Sequence, residues 1–330
     1  MLVVSRGALR VATASLATAS LATGLLAGPG VAYAADTSTP LSAAEMAADL
    51  KAVSTASAQA AAGGWAATVK LSGDALSGSE FFAVDPVAGA AFERREFSGW
   101  TFAQYVVAGK GTYAALTDPA SREAVRMMHR PSVRYVFNAD KSVKLDTELG
   151  DVSPATLLAD DVGQAGTRTV HDDGSADYRL SQDDATLTVH VTATGVLASA
   201  DGESDGDHAT FTYAYGPHQV VLPSASETIG ADALATGLAY LDMASAVKWV
   251  AGEAATDTLR SARGHQISLS SLRKATKRDA EAFNSGTGVR MIKVKTVNRA
   301  VRVYATNPWT HRTVAYTLTP SGRKVTIAKD

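Results

Sequence analysis

The sequence contains no cysteine among its 330 residues. This absence excludes disulfides, thiolate metal sites, a cysteine nucleophile and lipid attachment at an N-terminal cysteine. Charged residues make up only 19% of the chain, against an ordinary apolar share of 46%. We therefore expect a packed globular protein that is held together by its core alone, which a chain of this length can support.

The N-terminus has the features of a secretory signal peptide at residues 1–34. Arg6 and Arg10 form a basic region, Val11–Ala27 is a short apolar region, and Ala32–Ala34 is a small-residue site that would be cleaved before Ala35. No later apolar run approaches the roughly 20 residues that a membrane-spanning helix needs. The sequence thus predicts a secreted protein of the bacterial cell envelope that is neither lipid-anchored nor membrane-spanning.

The net charge of −2 conceals two parts of opposite sign. Residues 36–229 contain 13 Lys and Arg against 26 Asp and Glu, a balance of −13, whereas residues 230–330 contain 16 against 7, a balance of +9. This asymmetry predicts a first domain at 35–229 and a small basic domain at 230–330. The two charges either attract each other or different partners, or they only keep each domain soluble.

The stretch from Ser175 to Pro223 predicts four consecutive antiparallel strands. Residues alternate between apolar and hydroxyl-bearing side chains in Thr186–Thr192 and again in Ala209–Tyr215. Such alternation gives each strand one apolar face and one wettable face. Asp183-Asp184 and the acidic run Asp201–Asp207 are predicted to form the turns.

Upstream of this stretch, the pattern predicts a helix followed by a series of strands. Ser42 and Glu45 form a capping box for a helix that runs to Ala62. Further short helices are predicted from Asp118-Pro119 and Ser153-Pro154. The strand candidates between and around the helices are Trp65–Leu71, Glu80–Val84, Ala90–Phe97, Trp100–Val107, Gly111–Thr117 and Ser132–Phe137.

This order of elements resembles the LolA/LppX-type lipoprotein-carrier fold over about Leu41–Pro223. The most specific match is a short helix that begins Ser153-Pro154-Ala155, before a sheet that ends in Tyr215-Gly216 and Val221–Pro223. The resemblance implies a strongly curved antiparallel half-barrel whose open side is plugged by helices, with acyl chains held between them. Actinobacterial members of that family carry a lipidated cysteine, which is missing here, and the fold also occurs as a sensor domain in envelope-stress regulators.

The predicted fold class is therefore α+β: a half-barrel with plugging helices, followed by a smaller domain of helices and an antiparallel sheet. If the half-barrel is formed, its ligand-binding lining comprises Trp65, Val69, Phe82, Phe102, Leu157, Leu158, Tyr178, Leu187, Val189, Val191, Phe211 and Tyr213. Such a lining suits an acyl chain, at roughly 0.8 kcal/mol per buried methylene. The alternative is that the same side chains simply fill the interior.

Residues 230–330 predict a helix over Leu234–Arg263, long or broken, a second helix over Leu269–Phe283, and four strands thereafter. This part faintly resembles the globular part of a type IV pilin. Its basic strand residues face anionic lipid, cell-wall polymer or an envelope protein, or they form a solvated surface. These basic residues are Arg290, Lys293, Lys295, Arg299 and Arg302. Few aromatic residues lie near them, so no nucleic-acid partner is predicted.

Motifs for catalysis, cofactors and metals are missing from the sequence. Its seven histidines show no zinc-binding spacing, and no nucleophile elbow, phosphate-binding loop or dinucleotide fingerprint occurs. The run Asp201–Asp207 lacks the spacing and closing glutamate of a calcium-binding loop. A triad assembled only in space stays open, because such triads are defined by geometry.

The function predicted is that of an exported, non-enzymatic protein without cofactors, which holds or senses an acyl lipid or another hydrophobic small molecule in the half-barrel. The alternatives are a secreted scaffold or regulator with a fully packed core and, on weaker grounds, a secreted hydrolase.

Overall fold

The computed structural model describes residues 36–73, 77–158, 164–182 and 184–330, so the predicted signal peptide at 1–34 lies outside the described residues. The described residues form two compact units. The first unit runs to Ala114 and resumes over Ala139–Leu222, and the second contains Ala115–Asn138 and Pro223–Asp330. The domain limits 35–229 and 230–330 stay a prediction.

The strands are β1 (Thr37–Leu41), β2 (Trp65–Ser72), β3 (Gly78–Asp85), β4 (Ala90–Phe97), β5 (Trp100–Val107), β6 (Gly111–Ala115), β7 (Tyr135–Ala139), β8 (Gly166–Val170), β9 (Ala176–Gln182), β10 (Ala185–Val191), β11 (Leu197–Ser204), β12 (Asp207–Tyr215), β13 (Thr228–Gly230), β14 (Lys293–Val297), β15 (Ala300–Thr306), β16 (Thr313–Ser321) and β17 (Lys324–Lys329). The helices are α1 (Ala43–Ala61), α2 (Pro119–Met127), α3 (Leu145–Leu149), α4 (Ala231–Leu241), α5 (Met243–Ala262) and α6 (Leu269–Thr287).

The first unit contains an open antiparallel sheet in the order β1-β8-β9-β10-β11-β12-β2-β3-β4-β5-β6. The four strands predicted within Ser175–Pro223 are present as β9 to β12, each paired with the next. The sheet does not close on itself. The predicted α+β fold, with an open half-barrel sheet, plugging helices and a smaller second sheet, is confirmed.

Helix α1 begins at the predicted capping box. The Ser42 backbone N–H donates to Glu45 Oε2 at 2.8 Å, and the Glu45 N–H donates to Ser42 Oγ at 3.4 Å. Buried residues then recur every three or four positions, so they form one stripe that packs against β11 and β1; the stripe is Met46, Leu50, Val53, Ser57 and Ala61. The rest of the helix surface is exposed or half-buried.

Strand β1 and its partner β8 were not predicted from the sequence. β1 pairs with β8 along Thr37–Leu41, and Ser38 Oγ lies 2.8 Å from Thr169 Oγ1. Pro40 has no N–H to donate, but β1 is an edge strand, where one side of the backbone needs no partner. A strand containing proline is therefore tolerated here.

The helix predicted from Ser153-Pro154 is wrong as far as the described residues run. Residues 151–158 form successive turns, while a short helix, α3, occurs earlier. The Ser153 Oγ accepts from the Ala155 N–H at 3.3 Å, as at a helix N-cap, and the Leu157 N–H donates to the Ser153 carbonyl at 2.9 Å, but these bonds form turns and not a regular helix.

Two boundaries in the β9–β12 stretch also differ from the prediction. The acidic run Asp201–Asp207 is mostly strand, and only Asp205 and Gly206 form the turn, with φ of 52° and 83°. Two consecutive positive φ values suit a two-residue hairpin. The last strand ends at Tyr215, and residues 217–223 are not a strand, because Gly216 adopts a φ of 128°.

The second unit contains a four-stranded antiparallel sheet in the order β14-β15-β16-β17, against which α5 and α6 pack. The long helix predicted at 234–263 is broken at Asp242, between α4 and α5. Helix α2 packs on α4, and β7 pairs in parallel with β13. The predicted arrangement of helices and a small antiparallel sheet is confirmed, while the faint pilin resemblance stays a prediction.

Candidate hydrophobic ligand site

One face of the first-unit sheet, called the inner face here, carries α1 and a continuous apolar cluster. Val69 on β2 lies opposite Phe211 on β12, and Val189 on β10 lies opposite Tyr178 on β9. Residues that are opposite each other in a sheet project from the same face. These side chains cluster with Leu50 of α1, so the face is covered by the helix.

Of the predicted lining residues, eight are buried: Trp65, Val69, Phe82, Leu158, Tyr178, Val189, Val191 and Tyr213. Four are half-buried: Phe102, Leu157, Leu187 and Phe211. All except Phe102 belong to or pack against the apolar cluster that includes Met46 and Leu50. Phe102 lies on the inner face through its register with Arg95. Whether these residues line a bound ligand stays a prediction, because a solidly packed interior buries them equally.

The inner face is wider than its helical cover. Eleven strands at a spacing of about 4.8 Å span about 50 Å. The 19-residue helix α1 is about 28 Å long and about 10 Å wide, so it covers at most about six strands in any orientation. A second cover comes from residues 143–158, whose Val143, Leu149 and Leu158 are buried in the same cluster.

Few hydrogen bonds tie α1 to the elements that face it. The fully buried Ser57 Oγ donates to the Val53 carbonyl at 2.7 Å and accepts from the Leu197 N–H on β11 at 2.9 Å. The Ser54 Oγ donates to the Ala155 carbonyl, in the second cover, at 2.6 Å. Apart from these contacts, α1 is held mainly by its apolar stripe.

Two tyrosines on β12 donate further hydrogen bonds, one to the second cover and one to β11. The Tyr213 hydroxyl donates to the Val152 carbonyl at 3.1 Å, and the Tyr215 hydroxyl donates to the Leu197 carbonyl at 2.8 Å. Burial raises the pKa of Tyr213, and it raises the pKa of Tyr215 to about 12. Both hydroxyls therefore stay protonated and remain donors over the whole physiological pH range.

A polar cluster that the sequence analysis missed lies on the inner face of β3, β4 and β5. Glu93, 2% exposed, forms an ion pair with Arg95 and accepts from Gln104 Nε2 at 2.7 Å. Glu80 Oε1 lies 3.6 Å from Arg95 Nε. A buried charge is costly unless it is fully partnered, so this cluster is exceptional within an apolar face. We name it the Glu93 cluster, consisting of Glu80, Glu93, Arg95 and Gln104.

A second ion pair on this face joins α1 to the sheet edge. Arg168 Nη1 on β8 lies 3.6 Å from Asp49 Oδ2 on α1, and the Arg168 guanidinium carbon lies 5.8 Å from the centre of the Tyr178 ring. The side chains of Arg168 and Asp49 are 42% and 33% exposed, so the pair contributes little, about 0–1 kcal/mol. Burial, followed by the nearby Asp49 charge, raises the pKa of Tyr178.

On the opposite face, two histidines alternate with carboxylates. His171 contacts Asp36 and Asp177 at 3.1 and 3.2 Å, and His190 contacts Asp177 and Asp201 at 2.7 and 3.1 Å. The hydrogen bond to Asp177, followed by that to Asp36, raises the pKa of His171. Both nitrogens of each ring face carboxylates, so neither ring has a nitrogen directed at a serine, as a Ser-His-Asp triad would need.

The described part of the chain contains no group of three or more His, Asp or Glu side chains that could hold a metal ion. The acidic residues Asp201, Glu203, Asp205 and Asp207 are described residues and form no such group. Among the same described residues, none of the helices is both long enough and apolar enough to cross a bilayer.

Of the five basic residues predicted to face a partner, Arg302 is half-buried and the other four are exposed: Arg290, Lys293, Lys295 and Arg299. Lys295 and Arg302 are opposite each other on β14 and β15, and each lies over the ring of Tyr304, at 5.5 and 5.6 Å from its centre. Arg302 is also ion-paired with Asp330, whose pKa is lowered by a hydrogen bond from Thr317 and then by Arg302. A contact of this surface with an anionic polymer, lipid or envelope protein stays a prediction.

Comparison with solved structures returns crystal structures of the lipoprotein LppX from Mycobacterium tuberculosis, an uncharacterized conserved protein from Thermus thermophilus, and LprF from Mycobacterium bovis. Their sequence identities to this chain are 11%, 12% and 11%, and the TM-scores are 0.30, 0.28 and 0.31. The matches cover 54%, 54% and 56% of this chain, and 98%, 96% and 99% of the matched chains.

The predicted resemblance to LppX-type proteins is confirmed. No protein-family model and no curated protein matches the chain.

Proposed function

We propose that this protein is an exported, non-enzymatic carrier or sensor that binds the hydrocarbon part of a lipid against the inner face of its first unit. One observation carries the proposal: among the described residues, a largely apolar face about 50 Å across is covered by the long helix α1 and by residues 143–158, which include the short helix α3. An apolar face needs a cover. The part of the inner face that α1 and residues 143–158 do not cover would be covered by an acyl chain.

The weak attachment of α1 supports a mechanism in which the helix moves to admit the ligand. Apolar contacts are non-directional and re-form after a shift, whereas only a few hydrogen bonds, such as that from Leu197 to Ser57, must break. Binding would then bury acyl surface without any covalent step, at roughly 0.8 kcal/mol per methylene. The pattern at residues 1–34 supports an extracytoplasmic location, where such a carrier or sensor would meet envelope lipids.

Native mass spectrometry of the protein purified from its own envelope is the primary test. The expected result is an added mass that organic extraction releases as an acyl lipid. A chain of bare mass, which also fails to bind fluorescent acyl probes with either a neutral or a carboxylate head, would contradict the proposal and favour a fully packed scaffold.

A matched pair of variants on β10 tests whether the ligand binds to the inner face or to the outer face of the sheet. Leu187 on β10 is half-buried on the inner face, and Thr188 follows it on the opposite face. Leu187→Asn should weaken binding of a fluorescent fatty acid about tenfold, since a partial loss of apolar contact is worth about 1.4 kcal/mol. Thr188→Asn should leave the affinity unchanged, and equal effects of the two changes would place the ligand elsewhere.

A further inference from the structure

The Glu93 cluster lies within the candidate ligand site and not on the solvent side of the sheet. Phe82 on β3 is opposite Glu93 on β4, which in turn is opposite Gln104 on β5. Phe82 is 2% exposed and belongs to the apolar cluster under α1. Because opposite residues share a face, Glu93 and Gln104 project toward the same interior.

Two atoms of this cluster are buried without a hydrogen-bond partner. Glu93 Oε1 lies against Arg95 in the ion pair, yet no described residue donates an aligned hydrogen bond to it. Arg95 Nε donates to no described residue either, since Glu80 Oε1 at 3.6 Å is beyond hydrogen-bond distance. A buried acceptor and a buried donor on neighbouring side chains can both be satisfied by one group that donates and accepts.

The charge of the cluster decides between classes of partner. Glu93 is a buried carboxylate, and its Oε1 can only accept a hydrogen bond, so its partner must donate a proton. An ionised carboxylate or phosphate has no proton to donate there, and its charge would face that of Glu93 at low dielectric, where like charges repel strongly. A neutral hydroxyl avoids this repulsion, donates to Glu93 Oε1 and accepts from Arg95 Nε.

We propose that Glu93 and Arg95 form the head-group site of the ligand, and that the ligand is a long-chain molecule with a neutral hydroxylated head. Its hydrocarbon chain runs from this site along the apolar part of the inner face, beside Val69 and Phe211, which are in register with Glu80 through β2 and β12. This inference rests on the proposed function, because it assigns the polar end of the same ligand.

The test compares three probes of equal chain length on the unaltered full chain at neutral pH: hexadecanol, its methyl ether and palmitate. Displacement of one fluorescent fatty-acyl probe reports all three affinities. The alcohol donates and accepts, the ether only accepts, and palmitate carries a negative charge. We expect hexadecanol to bind at least tenfold more tightly than either of the others, a difference of about 1.4 kcal/mol.

A matched pair of variants assigns the preference to Glu93. Glu93→Gln keeps the shape of the side chain, removes its negative charge and adds a donor, so the preference for the alcohol over palmitate should fall at least severalfold. Glu96→Gln is the control, since Glu96 is half-exposed on the other face of β4 and paired with Arg94. It should change none of the three affinities.

Each outcome has one reading. Equal affinities for the three probes would overturn the head-group site and leave the hydrocarbon site standing, with water alone meeting the two buried atoms. Palmitate as the tightest ligand would make Arg95 an anion site and overturn the inference as well. Failure of all three probes to bind would overturn the proposed function together with this inference. The comparison on the unaltered chain needs no variant to fold.

Discussion

Replacing Ser57 by alanine probes the one fully buried hydrogen bond between α1 and the sheet among the described residues. The change leaves the Leu197 N–H without an acceptor, which costs about 1–3 kcal/mol for a buried donor. Loss of the bond to Val53 costs little, because that carbonyl also accepts within the helix. Alanine favours the helix over serine by about 0.5 kcal/mol, so the free energy of unfolding should fall by about 0.5–2.5 kcal/mol.

Urea unfolding and hydrogen exchange measure this effect together. At a slope of about 2 kcal/mol per molar urea, the midpoint of the first unit should fall by about 0.3–1.2 M. The Leu197 amide should lose protection selectively, because its acceptor is gone. Thr55→Ala is the control, since Thr55 is exposed on the same helix and its hydroxyl bonds only the Lys51 carbonyl.

An unchanged Leu197 amide and an unchanged midpoint in Ser57→Ala would refute the view that this bond fastens α1. If α1 is the movable cover, the same variant should also take up a fluorescent fatty acid faster than the unaltered chain. A slower uptake would show that the helix must be rigidly placed for entry.

The remaining predictions concern the close approach of Gly64 to Gly216 and the ion pairs of His171. Gly64 and Gly216 both have a positive φ, of 122° and 128°, but a Cβ on Gly64 would lie 2.6 Å from the Gly216 carbonyl oxygen, whereas one on Gly216 meets nothing within 4 Å. Thermal unfolding should therefore show Gly64→Ala to be more destabilising than Gly216→Ala, by about 1 kcal/mol or more; equal losses would mean that backbone strain alone matters. The pKa of His171 is raised in the folded chain by Asp177 and Asp36, so its stabilising contribution is complete below the unfolded value of about 6.5 and is lost as pH rises through the folded value. The stability difference between the unaltered chain and His171→Gln should accordingly be larger at about pH 6 than at about pH 9, and a difference independent of pH would contradict the assignment.

Strands with a single apolar face were predictable because their pattern is unambiguous. In Thr186–Thr192, every second side chain is apolar, so the strand and its buried face follow directly from the period of two. The capping box at Ser42 and Glu45 fixes the start of α1 in the same way, because both groups act within one turn. By contrast, Ser153 makes the N-cap bond that the sequence predicts, yet residues 154–158 form only turns, because one capping bond does not provide the packing that stabilises a short helix.

The Glu93 cluster was not predictable, because β4 is charged on both of its faces. Glu93 and Arg95 lie on one face, and Arg94 and Glu96 lie on the other. Each face therefore carries one acidic and one basic residue, and the alternation does not show which face is buried. Only the register with Phe82 on β3 shows that the first pair is turned inward.

The same cluster explains why a fold of this kind would keep charge in its interior. A buried ion pair is weak support for stability, since replacing both partners by apolar residues is often neutral or stabilising by about 1–4 kcal/mol. Glu93 and Arg95 are therefore poorly accounted for by the folding of the sheet, whose other inner residues are almost all apolar. A ligand that supplies a donor and an acceptor changes that balance, because it partners both of the buried polar atoms. The charged pair then favours the ligand-bound protein, and the apolar face supplies affinity while the pair supplies selectivity.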